Sequence, residues 1–468
     1  MNFLLILFIY FVSFLDKPEK TAPHLSPRAI EQRQKWNIPT DQMDYPVSSM
    51  YMDSLRRMGV KIYHKSRWFN GVTCDIKDEG LAKKVNDLSF VTSVEMTRDN
   101  SNPIYSPRKR RSSPAAVSLQ AFDNWTDEQL AFYNLLPLHE AGYEGQGILM
   151  AICDGAFYNA QKLSCFRQEQ ELGHLDFTDD SDDFYGSSGA HGTECLSTIS
   201  GITDGYYGAA TKANYYLMRS EEMETESPKE MDNLVVALET ADSLGVNVFS
   251  VSLGYAYFDN NQWTLDNKTD LDGKTTRCSR AATIAACKGM LVCVAAGNEG
   301  SSEWRTICAP ADADSILTVG AVDTDSVMGT FSSYGPSSDG RVKPEVCAVG
   351  VQTTLVYPDG QLVTNNGTSF ATPLIAGMAA SLWSALPDEN AMQIRERIIK
   401  SCNHYSYPDK KNQMGYGIPD AWLAYTMKRG EGMESSESRV ESVKILRNGQ
   451  ILIIRQGLIY NLAGQRME

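Results

Sequence analysis

The segment GILMAICDG, residues 147–155, combines an uninterrupted apolar run with an aspartate and a glycine directly after it. Four later runs are equally continuous: ANYYLM (213–218), VNVFSVS (246–252), LVCVAA (291–296) and ILTVGAV (316–322). Continuous rather than alternating apolar character is typical of strands that are buried on both faces. Helix-like stretches separate these runs, so the sequence predicts an α/β fold with a doubly wound, mainly parallel sheet.

The pattern changes along the chain and predicts several regions. Residues 15–112 are predicted to form a small α/β unit, and the linker at its end contains the basic run RKRR (108–111). Residues 113–428 carry the doubly wound pattern, and residues 429–468 combine a Gly/Ser/Glu linker with a short β segment. The apolar residues 1–14 fit a signal segment or, alternatively, a strand that opens the first domain.

The net charge, the hydropathy and the cysteines limit the classes of partner and cofactor that the protein can have. The net charge of −15 argues against nucleic acid as a partner, because phosphate binding requires a basic surface. Apart from the N-terminus, no window has the roughly 18 to 20 apolar residues of a membrane span. The ten cysteines form no CxxC pair, so neither a metal site nor another cofactor is expected. Few disulfides are expected, and Cys278, Cys287 and Cys308 are the favoured participants.

Distinctive polar residues lie at four junctions where predicted strands end or predicted helices begin. Asp154 follows the first strand, and His191 precedes Gly-Thr at the start of a helical pattern. Asn298 ends the run LVCVAAGN, and Ser369 lies at the mouth of a helix rich in small residues. Each residue alone has an ordinary structural explanation, as a turn residue or a helix cap. In parallel α/β sheets, however, such junctions meet at one edge, where ligands bind.

Together the four residues fit one mechanism. Asp154 orients His191, and His191 removes the hydroxyl proton of Ser369, which attacks an acyl carbon. The amide of Asn298 donates to the oxyanion that develops. The chain order Asp, His, Ser is that of subtilisin and differs from the orders in chymotrypsin and the α/β-hydrolases.

Two of these junctions lie in longer motifs, AHGTECLSTISG (190–201) and NGTSFATPLIAGMAA (366–380). They resemble the His and Ser signatures of the subtilisin-like serine proteases (subtilases). SVSLGY (250–255) and VAAGNEG (294–300) resemble the substrate-binding and oxyanion segments of that family. One departure is that Asp154 is followed by Gly-Ala, where the family has a small residue and then Gly.

The resemblance implies a serine endopeptidase that cleaves proteins or peptides, with substrate lying as an extended strand. The substrate-binding residues that it implies are Ser252, Leu253, Gly254, Ala295, Ala296 and Gly297. Further segments resemble subtilases of Bacteroidetes-type bacteria. By that resemblance the leading unit is an inhibitory prodomain, and the C-terminal segment is the end of a sorting tail.

Export to the medium or cell surface is therefore expected, with the periplasm as an alternative location. Two further alternatives remain open: a non-catalytic binding protein with the same fold, and an intracellular peptidase. The acidic loop DFTDDSDDFYG (176–186) also allows calcium binding, because oxygen-rich loops bind hard cations, although its spacing matches no defined calcium loop.

Overall fold

The computed structural model describes most of the chain as two separate compact units, residues 1–425 and 426–468. The residues that it describes are 8–19, 21–99, 117–118, 127–178, 183–186, 189–222, 225–403, 413–427, 443–447, 450–455, 458–461 and 466–467. The basic run at 108–111 and residues 1–7 lie outside these ranges, so the expectations for both remain predictions.

The first part of the chain forms a four-stranded antiparallel sheet. Its elements are β1 (Phe8–Phe14), α1 (Pro27–Trp36), α2 (Ser49–Arg57), β2 (Lys61–Ser66), β3 (Gly71–Asp75), α3 (Glu79–Asn86) and β4 (Val91–Asp99). The strand order is β2-β3-β1-β4. Ser26 caps α1 by accepting a hydrogen bond from the Ala29 N–H, and Pro27 begins the helix, as the sequence predicts.

The N-terminal apolar segment follows the second of the two alternatives given above, a strand that opens the first domain. β1 lies between β3 and β4, so residues Phe8–Phe14 belong to the unit that was expected to begin at residue 15. Tyr10, Val12 and Phe14 of β1 are buried in the apolar core of the unit. Ile9 and Phe11 on the other face of β1 are also buried, so both faces of this strand are covered, and this burial explains why the segment pairs here.

The larger part of the same compact unit holds the remaining elements before residue 427. These are β5 (Val117–Ser118), α4 (Asp127–Ala131), α5 (Leu136–Glu140), β6 (Leu149–Asp154), β7 (Glu171–Asp176), α6 (His191–Ser200), β8 (Ile202–Thr203), β9 (Tyr206–Tyr207), β10 (Asn214–Arg219), α7 (Pro228–Leu244), β11 (Val248–Val251), α8 (Arg277–Cys287), β12 (Leu291–Ala295), β13 (Leu317–Val322), β14 (Val346–Val349), β15 (Thr353–Val356), β16 (Leu362–Asn365), α9 (Thr368–Ala385), α10 (Ala391–Lys400) and α11 (Ala421–Thr426).

A seven-stranded parallel sheet organises this part, with the order β14-β13-β12-β11-β6-β10-β7. Its strands are buried on both faces. In β6, Met150 and Ile152 join the core under α6 and α9, whereas Leu149, Ala151 and Cys153 join the core under α7 and α8. The predicted doubly wound fold is therefore confirmed. β10 and β11 lie on opposite sides of β6, and this switch in strand order opens a crevice at the carboxyl edge.

The C-terminal unit contains an antiparallel sheet of four strands in the order β17-β18-β19-β20. They are β17 (Val443–Arg447), β18 (Gln450–Arg455), β19 (Leu458–Asn461) and β20 (Arg466–Met467). The predicted short β segment is present. Among the described residues, no helix is both long and apolar enough to span a membrane.

All ten cysteines lie in the described residues, and all are free thiols, nine of them buried. The prediction of disulfides for Cys278, Cys287 and Cys308 is therefore wrong. Cys278 lies in a buried contact with the Thr276 hydroxyl, and Cys308 is enclosed by two glycines, whereas Cys287 is exposed. A core of this size does not require covalent cross-links, so apolar thiols can serve as small packing groups.

Candidate active site

Three neighbouring strands end together at the carboxyl edge of the parallel sheet. Val251 of β11 pairs with Cys153 of β6 on one side and with Val294 of β12 on the other. The next residues along these strands are Asp154, Ser252 and Ala295, so the predicted site residues of three strand ends are adjacent. α6 begins at His191 and α9 at Thr368, and both helices bring their N-terminal ends to this edge.

Asp154 holds the ring of His191. The two carboxylate oxygens lie 2.8 and 2.9 Å from His191 Nδ1, and Asp154 is 1% exposed. The Gly155 N–H donates to Oδ1 of Asp154 at 2.7 Å, so the turn after β6 also binds the carboxylate. With Nδ1 bound to Asp154, Nε2 is the nitrogen left to face a reacting group.

The same contact controls the pKa of His191. Burial is the largest single influence and acts to lower this pKa, but the charge of Asp154, the neighbouring Cys195 and the hydrogen bonds to both together outweigh it. The net result is a pKa well above the usual value for histidine. His191 therefore gains affinity for a proton, as a general base requires.

Gly192 allows Asp154 and His191 to approach each other closely. Its N–H donates to the Ala156 carbonyl at 2.8 Å. A Cβ atom at this position would lie 2.4 Å from the same carbonyl oxygen and 3.0 Å from Asp154 Cβ. Only glycine therefore allows the backbone after Asp154 to approach the start of α6 this closely.

Ser369 lies in the first turn of α9 and contacts the end of β11. Its Oγ donates to the Ser252 carbonyl at 3.2 Å, while Ser252 Oγ donates to the Ser369 carbonyl at 2.8 Å. These reciprocal bonds join the nucleophile candidate to a strand that neighbours β6. The ring of the next residue, Phe370, lies 5.6 Å from the His191 ring.

Thr368 orients the side chain of Asn298. The Thr368 N–H and hydroxyl both donate to Asn298 Oδ1 at 3.0 Å. A backbone N–H can only donate, so the atom it meets must be the amide oxygen, and the NH₂ group of Asn298 therefore points the other way. This role of Thr368 was not predicted, although its position directly before Ser369 is visible in the sequence.

The two predicted substrate-binding segments flank Cys308. A Cβ atom on Gly254 would lie 3.0 Å from Cys308 Cβ, and one on Gly297 would lie 2.7 Å from Cys308 Sγ. Leu253, Ala295 and Ala296 are buried, whereas Gly254 is exposed. The thiol expected in a disulfide is instead the packing group between the two segments, and no sequence pattern pointed to it.

Cys195 is a second thiol at the site, and its place there was not predicted. It lies one turn after His191, and its Sγ donates to the Ser369 carbonyl at 3.3 Å. Burial raises the pKa of Cys195 to about 11, so the thiol remains protonated and able to donate at neutral pH. This contact ties α6 to the first turn of α9. The i, i+4 spacing to His191 was the available signal.

Two groups of described residues bring three potential metal ligands together: Asp154, His191 and Cys195, and Glu221, Glu226 and Glu230. In the second group Glu230 already accepts from the N–H groups of Glu222 and Ser227. The acidic loop named above is only partly described, and its Asp176 pairs with Arg219. Calcium binding there stays a prediction.

The site combines a carboxylate-bound histidine with a serine at the start of a helix, and both lie at the carboxyl edge of a parallel sheet. These are the parts of a serine hydrolase. Comparison with known families makes this specific. Residues 145–417, more than half of the chain, match the Subtilase family, and residues 9–114 match the Peptidase S8 propeptide domain of Bacteroidota. The chain belongs to the subtilase family, and it is a subtilisin-like serine endopeptidase with a propeptide domain.

Individual relatives agree with this assignment. Subtilisin DY of Bacillus licheniformis is 30% identical over 267 residues, which cover 56% of this chain and 86% of that protein. Subtilisin E of Bacillus subtilis is 29% identical over 272 residues, but the match covers only 63% of its length. The solved structure of MycP1 from Mycobacterium smegmatis has a TM-score of 0.54 at 23% identity, covering 71% of this chain and 93% of that one. This structural likeness shows a shared fold.

Proposed function

We propose that the protein hydrolyses peptide bonds through an acyl-enzyme on Ser369, with His191 as general base and Asp154 as its orienting carboxylate. The observation that carries the proposal is the hydrogen bonding of both Asp154 oxygens to His191 Nδ1. This contact fixes the tautomer in which Nε2 can accept a proton, and it stabilises the imidazolium that then forms.

The chemical steps follow from these positions. Rotation about the Cα–Cβ bond of Ser369 releases Oγ from the Ser252 carbonyl and turns it towards His191. Nε2 takes the hydroxyl proton as Oγ bonds to the substrate carbonyl carbon, and the imidazolium returns that proton to the leaving amine. A water molecule, activated by the same nitrogen, then cleaves the ester and regenerates the hydroxyl.

The oxyanion has two candidate donors. One is the NH₂ group of Asn298, whose direction is set by the two bonds from Thr368. The other is the Ser369 N–H, since a residue in the first turn of a helix has no carbonyl partner within that helix. Both donors are held by backbone contacts, so little reorganisation is needed when charge develops.

Replacing Asn298 by alanine should lower kcat by about 10²–10³-fold and change KM little. The amide donates to charge that exists mainly in the transition state, so its loss spares ground-state binding. Steady-state kinetics on a chromogenic peptide would measure both constants. Asn214→Ala is the matched control, because Asn214 is exposed and lies at the opposite end of the sheet, paired with Leu149. A rise in KM with unchanged kcat would assign Asn298 to substrate binding instead.

The substrate is proposed to lie as an extended segment between two strand continuations, Ser252–Leu253–Gly254 and Ala295–Ala296–Gly297. Gly254 is exposed, which leaves its backbone open to pairing with a peptide strand. Gly297 has a φ of 108°, a conformation that side chains rarely adopt. The propeptide domain is proposed to act as the inhibitor of this cleft until it is cut away, and the enzyme is proposed to work outside the cell or at its surface.

Labelling of the purified, activated protein with a fluorophosphonate probe tests this proposal. The probe should modify one serine, and peptide mass spectrometry should locate the adduct on Ser369. A nucleophile activated by a base reacts far faster than an ordinary hydroxyl. Absence of labelling in a folded protein freed of its propeptide domain would favour the alternative of a non-catalytic binding protein.

A further inference from the structure

The base and the nucleophile of the proposed mechanism lie on two different helices. His191 begins α6, and Ser369 lies in the first turn of α9. The hydroxyl of Ser369 donates to the Ser252 carbonyl, and this bond ties the nucleophile to the end of β11 and not to α6. The alignment of base and nucleophile therefore depends on the contacts that hold α6 against the chain leading into α9.

Glu194 is a buried carboxylate in the first turn of α6 that the proposed mechanism does not use. It is 5% exposed and follows His191 by three positions. Residues three apart on a helix are neighbours on its surface. A negative charge near a helix N-terminus is also favoured by the macrodipole. Glu194 is thus fixed on the same turn as the base.

Glu194 contacts the segment that leads to the nucleophile. Its Oε2 accepts from Asn365 Nδ2 at 3.1 Å. Asn365 is buried and ends β16, four residues before Ser369. Its Oδ1 accepts from the Asn366 N–H at 2.9 Å, and a backbone N–H can only donate, which identifies this atom as the oxygen. The NH₂ group therefore points to Glu194, which is the acceptor that it requires.

The short segment between Asn365 and Ser369 is held by backbone contacts. The Gly367 N–H donates to the Gly350 carbonyl at 2.7 Å, and the Thr368 N–H is bound as described above. A Cβ atom on Gly350 would lie 2.8 Å from the Gly367 carbonyl oxygen, so the two backbones are in close contact. A segment fixed in this way transmits a shift of Asn365 to Ser369 instead of absorbing it.

Two other residues of α6 bind nearby parts of the chain. Cys195 Sγ donates to the Ser369 carbonyl at 3.3 Å, but a thiol is a weak donor. Ser197 Oγ accepts from the Val356 N–H at 2.9 Å, which holds the end of β15. The bond of Glu194 is the contact that fixes the end of β16, from which the chain runs directly to the nucleophile.

The contact between Glu194 and Asn365 does not depend on the charge of the carboxyl group. Burial raises the pKa of Glu194 above its usual value, although the charge of His191 and the hydrogen bond from Asn365 act against it. A carboxyl group that gains a proton on one oxygen can still accept at the other. The role of Glu194 is therefore one of position.

We propose that Glu194 is a positioning residue of the active site, which holds Asn365 and thereby sets the position of Ser369 Oγ against His191. The inference rests on the proposed function, because it concerns the same acyl transfer. Glu194 acts through Asn365 and not on the substrate. Its loss should therefore slow the chemical step and spare substrate binding.

The test measures how fast Ser369 reacts in variants of the purified, activated protein. Glu194→Ala leaves the NH₂ group of Asn365 buried without its acceptor, so kcat should fall by about 30-fold while KM stays within about 2-fold. The rate constant of fluorophosphonate labelling should fall by a similar factor, because this small probe also requires an aligned base. Glu194→Gln keeps an acceptor oxygen of the same reach, and it should restore kcat to within about 3-fold of the wild type.

Asn365→Ala removes the other partner and remains informative if Glu194→Ala fails to fold, which thermal unfolding would show. It should lower kcat by about 10-fold, and the double alanine variant should stay within about 3-fold of the less active single variant, because both substitutions remove one contact. Glu396→Ala is the matched control, because Glu396 lies on α10 in a partly exposed pair with Lys400. It should stay within about 2-fold of the wild type.

Equal losses in Glu194→Gln and Glu194→Ala would overturn the proposal, as would losses that multiply in the double variant or an unchanged kcat in both single alanine variants. A wild-type protein that neither labels nor hydrolyses peptides would instead count against the proposed function. The two failures are distinguishable, because the wild type is measured beside every variant.

Discussion

Ser369→Ala is expected to lower kcat by roughly 10⁶-fold, the size of effect known for loss of the nucleophile in subtilisin. Alanine keeps the first turn of α9 but removes Oγ, so no acyl-enzyme can form. If the chain cuts its own linker, the variant should also accumulate as the full-length form. Casein hydrolysis and N-terminal sequencing of the purified wild type and variant would measure both effects.

The matched control for this substitution is Ser243→Ala on α7 of the peptidase, whose hydroxyl donates only to the Glu239 carbonyl, and this variant should process and hydrolyse normally. Loss of one hydroxyl should also leave the fold intact, so circular dichroism of Ser369→Ala should match the wild type. Activity of Ser369→Ala above about 1% of wild type would show that another group is the nucleophile.

Asp154→Asn is expected to lower kcat/KM by about 10⁴-fold. An amide can donate to His191 Nδ1, which favours the tautomer whose Nε2 carries the proton and cannot accept another one. The site should otherwise stay similar, because asparagine has nearly the same shape as aspartate. Kinetics with an activated ester and with a peptide would measure the loss at neutral pH.

The same variant should change the pH profile. His191 must be neutral to act as base, so activity falls as pH drops through its pKa, which Asp154 raises. In the wild type the acidic limb of kcat/KM should therefore lie above pH 6.5, the approximate value for an ordinary histidine. Without the carboxylate, burial remains and the limb should move to lower pH. Asp325→Asn, at an exposed position of the peptidase, should leave the limb in place, and an unmoved limb in Asp154→Asn would contradict the assignment.

Local patterns in the sequence predicted the sheet and the candidate residues. The continuous run at β6 indicated burial on both faces, and the two apolar cores confirm it. Asp154 and His191 were placed at a strand end and a helix start, and the structure brings them into hydrogen-bond contact. Their catalytic roles, and that of Ser369, stay predictions that the variants above test.

Other features could not be predicted because they depend on contacts between distant segments. Cys308 was expected in a disulfide, but close packing against Gly254 and Gly297 decides its role. For the apolar N-terminal segment, the sequence allowed two assignments, a signal segment or a strand. Phe8–Phe14 pair with β3 and β4 and therefore form a strand. The segment alone could not show this, because strand pairing and burial depend on its partners.

The sequence by itself determined the alternation of buried strands and helices, the chain order of Asp154, His191 and Ser369, and the family. These follow from periodicity and local motifs, which are properties of neighbouring residues. Only the tertiary structure decided how Thr368 orients Asn298, which thiols pack at the site, and which charges pair between the propeptide domain and α7. Arg33 and Asp242 are 209 positions apart in the chain, and only folding places these charges together in a buried site where pairing is required.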